Sequence, residues 1–214
     1  MSDAPVSELT TVRGWETPAE QKALQYLAER VPTDGHIAEI GSEFGMSTSI
    51  LAMFSRPSVL VHAIDLFPDD MHTKHVAEMR RIGVLPKIRY YRGKSEHAIN
   101  YWDSKDRIDL LFIDGDHTAA GVLKDIKAWT PLVRLGGVVV FHDTLAYTNK
   151  KPHEQHGWVQ AAIEFWQGQS ILATSPIWQD NQLPPNRPFA FCETVPVDSM
   201  RVFVRVIDEG GLNA

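Results

Sequence analysis

The chain holds a single cysteine, Cys192, so no internal disulfide can form. Nothing around it matches the surroundings of a nucleophilic cysteine. No apolar run approaches the roughly 20 residues of a membrane span. Positive charge is scarce: 21 Lys and Arg stand against 27 Asp and Glu, a formal net charge of −6. That balance argues against wholesale binding to nucleic acid or to an anionic membrane. The one basic cluster, Arg80, Arg81, Lys87, Arg89, Arg92 and Lys94, is expected to form a solvated face. The start, Met1-Ser-Asp-Ala-Pro, is acidic and lacks an apolar centre, unlike a secretory signal. A reducing, cytoplasmic setting fits these features. There is no internal repeat, low-complexity tract or domain linker, so the 214 residues are expected to form one domain. A hydrophobic share of 43 % and a charged share of 22 % exclude a disordered chain.

What is present is an alternation of short apolar runs and helical patterns. Residues 1–16 read as an N-terminal arm. Thr17-Pro-Ala-Glu20 then opens a helix, with Thr17 as cap, Pro18 in the first turn and Glu20 closing a capping box. Leu24, Leu27, Ala28 and Val31 recur at helical spacing, and Pro32-Thr-Asp-Gly35 breaks the pattern. Strands are expected at 37–40, 59–64, 88–91, 110–113 and 138–141, and helices at 47–54, about 70–81, 96–101 and 119–129. Strand and helix in turn predict an α/β, doubly wound, mostly parallel sheet with helices on both faces. The last third reads differently. A helix at 158–166 and strands at 171–174 and 202–207 flank a Pro-rich connection at 175–188. They suggest an antiparallel C-terminal edge to a sheet of about seven strands. The stretch 175–200 is expected to be loop, and 144–157 a lid or substrate wall.

Two of the runs end in acids and histidines. Asp109-Leu-Leu-Phe-Ile-Asp-Gly-Asp-His117 and Gly136-Gly-Val-Val-Val-Phe-His-Asp143 read as buried strands. Ligands of open α/β sheets sit outside the carboxyl ends of such strands. If the two are neighbours, Asp114, Asp116, His117, His142 and Asp143 reach one rim, which could seat a divalent cation and a proton acceptor. Nearer the start, Glu39-Ile-Gly-Ser-Glu-Phe-Gly-Met-Ser47 is a strand, a glycine turn and a helix opening. Gly41 and Gly45 allow close approach of a ligand to the backbone. Their GxxxG spacing is not the dinucleotide GxGxxG, and no GK[ST] follows. Glu39 and Glu43 would repel a pyrophosphate, so a ligand with a cationic centre fits better. Asp65, 20 residues after Gly45, can accept both hydroxyls of a ribose. Asp116 reads as a helix cap, and His72 and His75 as part of a solvated helical face.

Together, Glu39-x-Gly41-x-x-x-Gly45-x-Ser47, Asp65, Gly93-Lys-Ser95, Phe112-Ile-Asp-Gly-Asp-His117 and Gly136-Gly-Val-Val-Val-Phe-His-Asp143 resemble the class I S-adenosylmethionine-dependent methyltransferases. Within that class the chain looks like the metal-assisted small-molecule O-methyltransferases, nearest the macrolide-sugar and cephamycin-type enzymes. The resemblance covers roughly residues 15–145 and implies a Rossmann-like fold. It implies that Glu39, Gly41 and Ser47 line the methionine end of the cofactor, with Ser42 and Gly45 in the same loop, and that Asp65 holds the ribose. Ser95 and Lys94 would lie by the adenine. Asp114 would touch both cofactor and metal, with Asp143 a second metal ligand and His117 the general base. Position 142 is His and position 94 is Lys where such relatives often carry acids.

The implied chemistry is in-line methyl transfer to a hydroxyl of a small molecule, with the proton leaving to His117. Asp114 and Asp143 offer the hard oxygens that Mg²⁺ prefers. A nitrogen from His142 would move that preference toward Mn²⁺ or another transition metal. Trp15, just before the first helix, could fold over the cofactor. Two other readings use subsets of the same residues: a nicotinamide-dependent oxidoreductase on a similar sheet, and a metal-dependent hydrolase built on Asp114, His117 and Asp143. Neither a nucleic acid nor a membrane is an expected partner, and homo-oligomerisation is left open.

Overall fold

The glycine turn, Asp65 and the acids after the fourth and fifth strands lie side by side because of strand register. A computed structural model describes residues 12–103, 105–144, 159–160, 162–163, 189–194 and 196–208. Its helices are α1 (Pro18–Ala28), α2 (Met46–Phe54), α3 (Asp69–Arg81), α4 (Ser95–Ala98) and α5 (Ala119–Trp129). Its strands are β1 (His36–Ile40), β2 (Leu60–Asp65), β3 (Ile88–Arg92), β4 (Ile108–Ile113), β5 (Val133–Phe141), β6 (Phe189–Glu193) and β7 (Arg201–Asp208). They form one sheet in the order β3-β2-β1-β4-β5-β7-β6. The pairs from β3 to β5 are parallel, and β7 pairs antiparallel with both β5 and β6. Strand order reverses between β1 and β4, and a crevice opens at such a switch point.

Side chains alternate across this sheet because successive Cβ atoms point to opposite faces. Leu110 and Phe112 of β4 join Leu24 of α1, Ile50 and Leu51 of α2 and Met79 of α3 in one core layer. Leu111 and Ile113 join Val122, Leu123, Ile126 and Trp129 of α5 in the other. With both faces covered, the central strands are buried along their length: all six residues of β4 are buried, Asp109 included. The capping box forms as expected. Thr17 Oγ1 accepts from the Glu20 amide, and Glu20 Oε2 accepts from the Thr17 amide at 2.8 Å.

Several details differ from the sequence reading. β5 begins at Val133, five residues before the expected start, and Gly136 and Gly137 lie inside it. The expected strand at 171–174 and the connection at 175–188 lie outside the described residues, as do residues 145–157 of the expected lid. β6, however, falls inside 175–200, which was expected to be loop. Phe189 and Phe191 already show the two-residue period of a strand, masked by the prolines before them. Residues 159, 160, 162 and 163 are helical, within the helix expected at 158–166. The described part of the arm is packed down: Val12 is buried, and the Arg13 guanidinium lies 4.0 Å from the Phe44 ring centre. His75 is buried rather than solvated. Its Nδ1 is 2.9 Å from Tyr90 Oη, and its Nε2 is 3.3 Å from Thr48 Oγ1. Among the described residues, no helix is long and apolar enough to cross a membrane.

Candidate functional site

The candidate positions lie at the carboxyl end of a strand or in the turn after it. Ile40 pairs with Ile64 and Ile113, and Ile113 pairs with Phe141. Gly41, Asp65, Asp114 and His142 are therefore the next residues along four adjacent strands, which are spaced about 4.8 Å apart. They open onto one cleft of about 1080 Å³, lined also by Ser42, Gly45, Ser47, Lys94, Ser95, His117 and Asp143.

Gly41 is a close-packed point of this wall. Its φ is +88°, and a Cβ there would stand 2.1 Å from the Asp114 carbonyl oxygen. At Gly45 a Cβ would meet His75 Nε2 at 2.7 Å. The Asp65 carboxylate fixes the turn. Its Oδ2 accepts from the amides of Ser42 and Glu43, both at 2.9 Å, and its Oδ1 from the Phe67 amide at 3.2 Å. Glu39 does not line the cleft. It is fully buried behind the turn, where Oε2 accepts from Ser42 Oγ at 2.8 Å and Thr48 Oγ1 at 2.5 Å, while Oε1 has no partner. Burial pushes its carboxyl up to about 7 despite hydrogen bonds that favour the charged form.

At the far side, His117 Nε2 lies 3.3 Å from Asp114 Oδ1 and 3.6 Å from Asp143 Oδ2. The hydrogen bond to Asp114 raises the His117 pKa against the opposing effect of burial. Asp143 has a φ of +54°, a left-handed conformation that Asp tolerates better than most residues. His142 is buried between carboxylates. Its Nε2 is 3.3 Å from Glu20 Oε2, and its Nδ1 is 3.3 Å from Asp114 Oδ1 and 3.7 Å from Asp143 Oδ1. Burial opposes protonation of His142, but the surrounding carboxylates outweigh it and raise its pKa strongly.

Asp114, His117 and Asp143 each offer a ligand atom within 4.8 Å of the others. The buried Nδ1 of His142 makes no hydrogen bond and faces the same two acids. Two carboxylates and an orphaned imidazole nitrogen suit a divalent cation whose remaining positions are taken by water or substrate. Glu20 behind His142 is the kind of carboxylate that fixes a metal-binding imidazole in one tautomer.

A family model described as "Methyltransferase domain" matches residues 38–144, from β1 to just past Asp143 and half of the chain. The chain belongs to this methyltransferase family. Solved structures agree on the fold. The O-methyltransferase TomG of Streptomyces achromogenes, described as involved in tomaymycin synthesis and solved with S-adenosylmethionine, superposes with a TM-score of 0.67 at 16 % identity, covering 97 % of this chain and 92 % of that one. The Podospora anserina methyltransferase PaMTH1, with S-adenosylhomocysteine bound, gives 0.65 at 15 % identity, covering 97 % and 89 %. A Bacillus cereus O-methyltransferase, also with S-adenosylhomocysteine, gives 0.61 at 17 % identity, covering 95 % and 92 %. By family and fold this is a methyltransferase built on a Rossmann-like sheet.

Other residues of the methyltransferase cleft escaped the sequence reading. Glu16 lines it, and burial raises its carboxyl pKa, helped by the nearby Asp114. Glu20 was legible as a capping residue, but its Oε1 also accepts from the Ser199 amide at 2.9 Å and Ser199 Oγ at 2.6 Å. Those partners lie 179 residues away, and no local pattern signals them. Asp125 did leave a signal. It is an acid on the apolar stripe of α5, next to Ile126 and one turn from Val122. Asp116 accepts from the Thr118 amide at 2.8 Å, while Thr118 itself caps α5. Trp15 lines the mouth, 69 % exposed, and donates from Nε1 to Glu43 at 2.9 Å.

Proposed function

We propose that this methyltransferase moves the methyl group of S-adenosylmethionine to a hydroxyl of a small-molecule acceptor, with His117 as general base and a divalent cation at Asp114, Asp143 and His142. The observation that carries the reading is the shared cleft: the glycine turn and Asp65 face the same space as the acid and histidine cluster. The relatives with S-adenosylmethionine or its demethylated product bound support the choice of cofactor, and the O-methyltransferases among them support oxygen as the acceptor atom.

The cofactor supplies an electrophilic methyl on a sulfonium, so the chain's task is largely positioning. The Gly41–Ser47 turn brings its backbone close to the methionine portion. Glu39 positions that turn from behind through Ser42 and Thr48. Asp65, already held by three amides, keeps lone pairs for the ribose hydroxyls. Ser95 and Lys94 border the adenine end. The acceptor hydroxyl approaches His117 Nε2, which takes its proton as the oxygen attacks. A divalent cation at Asp114, Asp143 and His142 Nδ1 would lower the acceptor's pKa and orient its oxygen. A cation there would also offset the Asp114 and Asp143 charges that raise the His117 pKa, favouring the neutral imidazole a base requires.

Isothermal titration with S-adenosylhomocysteine, with and without Mg²⁺ or Mn²⁺, tests the cofactor half. Binding is expected, with Asp65→Ala weakening it at least about tenfold, the loss of a charge-assisted hydrogen bond. No binding under either condition rejects the proposal.

A further inference from the structure

Asp125 plays no part in the proposal above, yet it borders the same cleft. It is only 3 % exposed, and acids are seldom buried without partners. Ser95 Oγ donates to Asp125 Oδ1, tying α5 to the start of α4. Among the described residues, no hydrogen bond reaches Oδ2. A Cβ on Gly115 would stand 3.8 Å from Oδ2, so this oxygen lies beside the Gly115 backbone in the cleft wall. The carboxyl thus sits in the wall where Gly93–Ser95 meets Gly115, locked on one side and open on the other.

We infer that Asp125 reads the base of the nucleoside: Oδ2 accepts a hydrogen bond from the exocyclic amino group of adenine, while Ser95 holds the carboxyl in place. The inference rests on the proposal that the cleft binds S-adenosylmethionine. An ionised carboxylate only accepts hydrogen bonds. A 6-amino purine presents a donor to it, whereas a 6-oxo purine presents another acceptor and leaves a buried charge facing a carbonyl. Sites built around a specific hydrogen bond discriminate steeply against the analogue that lacks it. The acid is ionised at pH 8. Burial raises its pKa to about 6, with Ser95 opposing, Glu96 and Asp116 adding to the rise and Lys124 reducing it.

The test is calorimetric titration at pH 8 with S-adenosylhomocysteine and S-inosylhomocysteine. Wild-type protein is expected to prefer the adenosyl compound by about 10- to 100-fold. Asp125→Asn keeps the shape, accepts from Ser95 through its amide oxygen and turns a donor toward the base, so the preference should collapse or invert. Ser95→Ala, which frees the carboxyl to rotate, should lower the preference several-fold. A wild-type ratio near one overturns the assignment, and so does an unchanged ratio in either folded variant. Should Asp125→Asn fail to fold, the wild-type and Ser95→Ala ratios decide. Wild-type protein that binds neither compound overturns the cofactor proposal itself; equal binding of both overturns the role of Asp125 alone.

Discussion

Replacing Gly41 with alanine puts a methyl group where the backbone of the next strand already stands. Two costs combine. At a φ of +88° an L-residue pays about 1–2 kcal/mol for the left-handed conformation. The new Cβ would also meet the Asp114 carbonyl oxygen at 2.1 Å and the Gly115 Cα at 2.8 Å. Both are main-chain atoms at the switch point, so no side chain can rotate to relieve the contact. Overpacking of this kind costs about 1–3 kcal/mol. Together they predict a destabilisation of about 2–5 kcal/mol, or roughly 5–20 °C in Tm for a chain of this size. Gly83 is the control, with a φ of +80° and no atom within 4 Å of its would-be Cβ. Gly83→Ala should incur the conformational cost alone. Thermal unfolding of both variants isolates the clash, and calorimetry with S-adenosylhomocysteine should show a loss of at least about tenfold in Gly41→Ala, because relief of the clash moves the turn or the Asp114 backbone. If Gly41→Ala melts no lower than Gly83→Ala and binds as wild type does, the account of a close-packed switch point is wrong.

Two further outcomes are expected. His117→Ala should reduce turnover about 10²–10⁴-fold while leaving S-adenosylhomocysteine affinity near wild type; single-turnover rates with unchanged methyl transfer would remove His117 from the mechanism. His75 is buried neutral, with burial lowering its pKa to about 4. A depressed histidine holds its stability contribution above the unfolded value of 6.5 and loses it as pH falls toward 4. Urea unfolding in His75→Gln should therefore show a shallower loss of stability between pH 6.5 and 4, by up to about 3 kcal/mol across that window. An identical slope in both proteins would count against a neutral His75.

The central sheet was legible because parallel strands buried on both faces are rich in apolar residues. The runs ending at Ile40, Ile113 and Phe141 could hardly be anything else, and the polar residues immediately after them mark a rim. Asp65, Asp114 and Asp143 follow from that logic without coordinates. Register was not legible, since nothing local states that Ile40 faces both Ile64 and Ile113. His75 was misread because helical spacing alone does not tell a solvated face from one turned toward Phe67 and Tyr90. Glu39 was read as a lining residue, but it stands two positions before Gly41, buried within β1. Glu20 was legible only in part: its capping role is local, whereas its bond to His142 spans 122 residues.

That one carboxylate begins the first helix, steadies the hairpin turn before β7 and braces the imidazole beside Asp114 and Asp143. Thr17 adds a second stitch, donating from Oγ1 to Asp198 at 2.5 Å. Anyone trimming this protein for crystallisation, or fusing a tag to it, should treat residues 13–17 and Glu20 as part of the cleft wall. A deletion reaching that far would loosen His142 from a distance and could be mistaken for a fault in the chemistry.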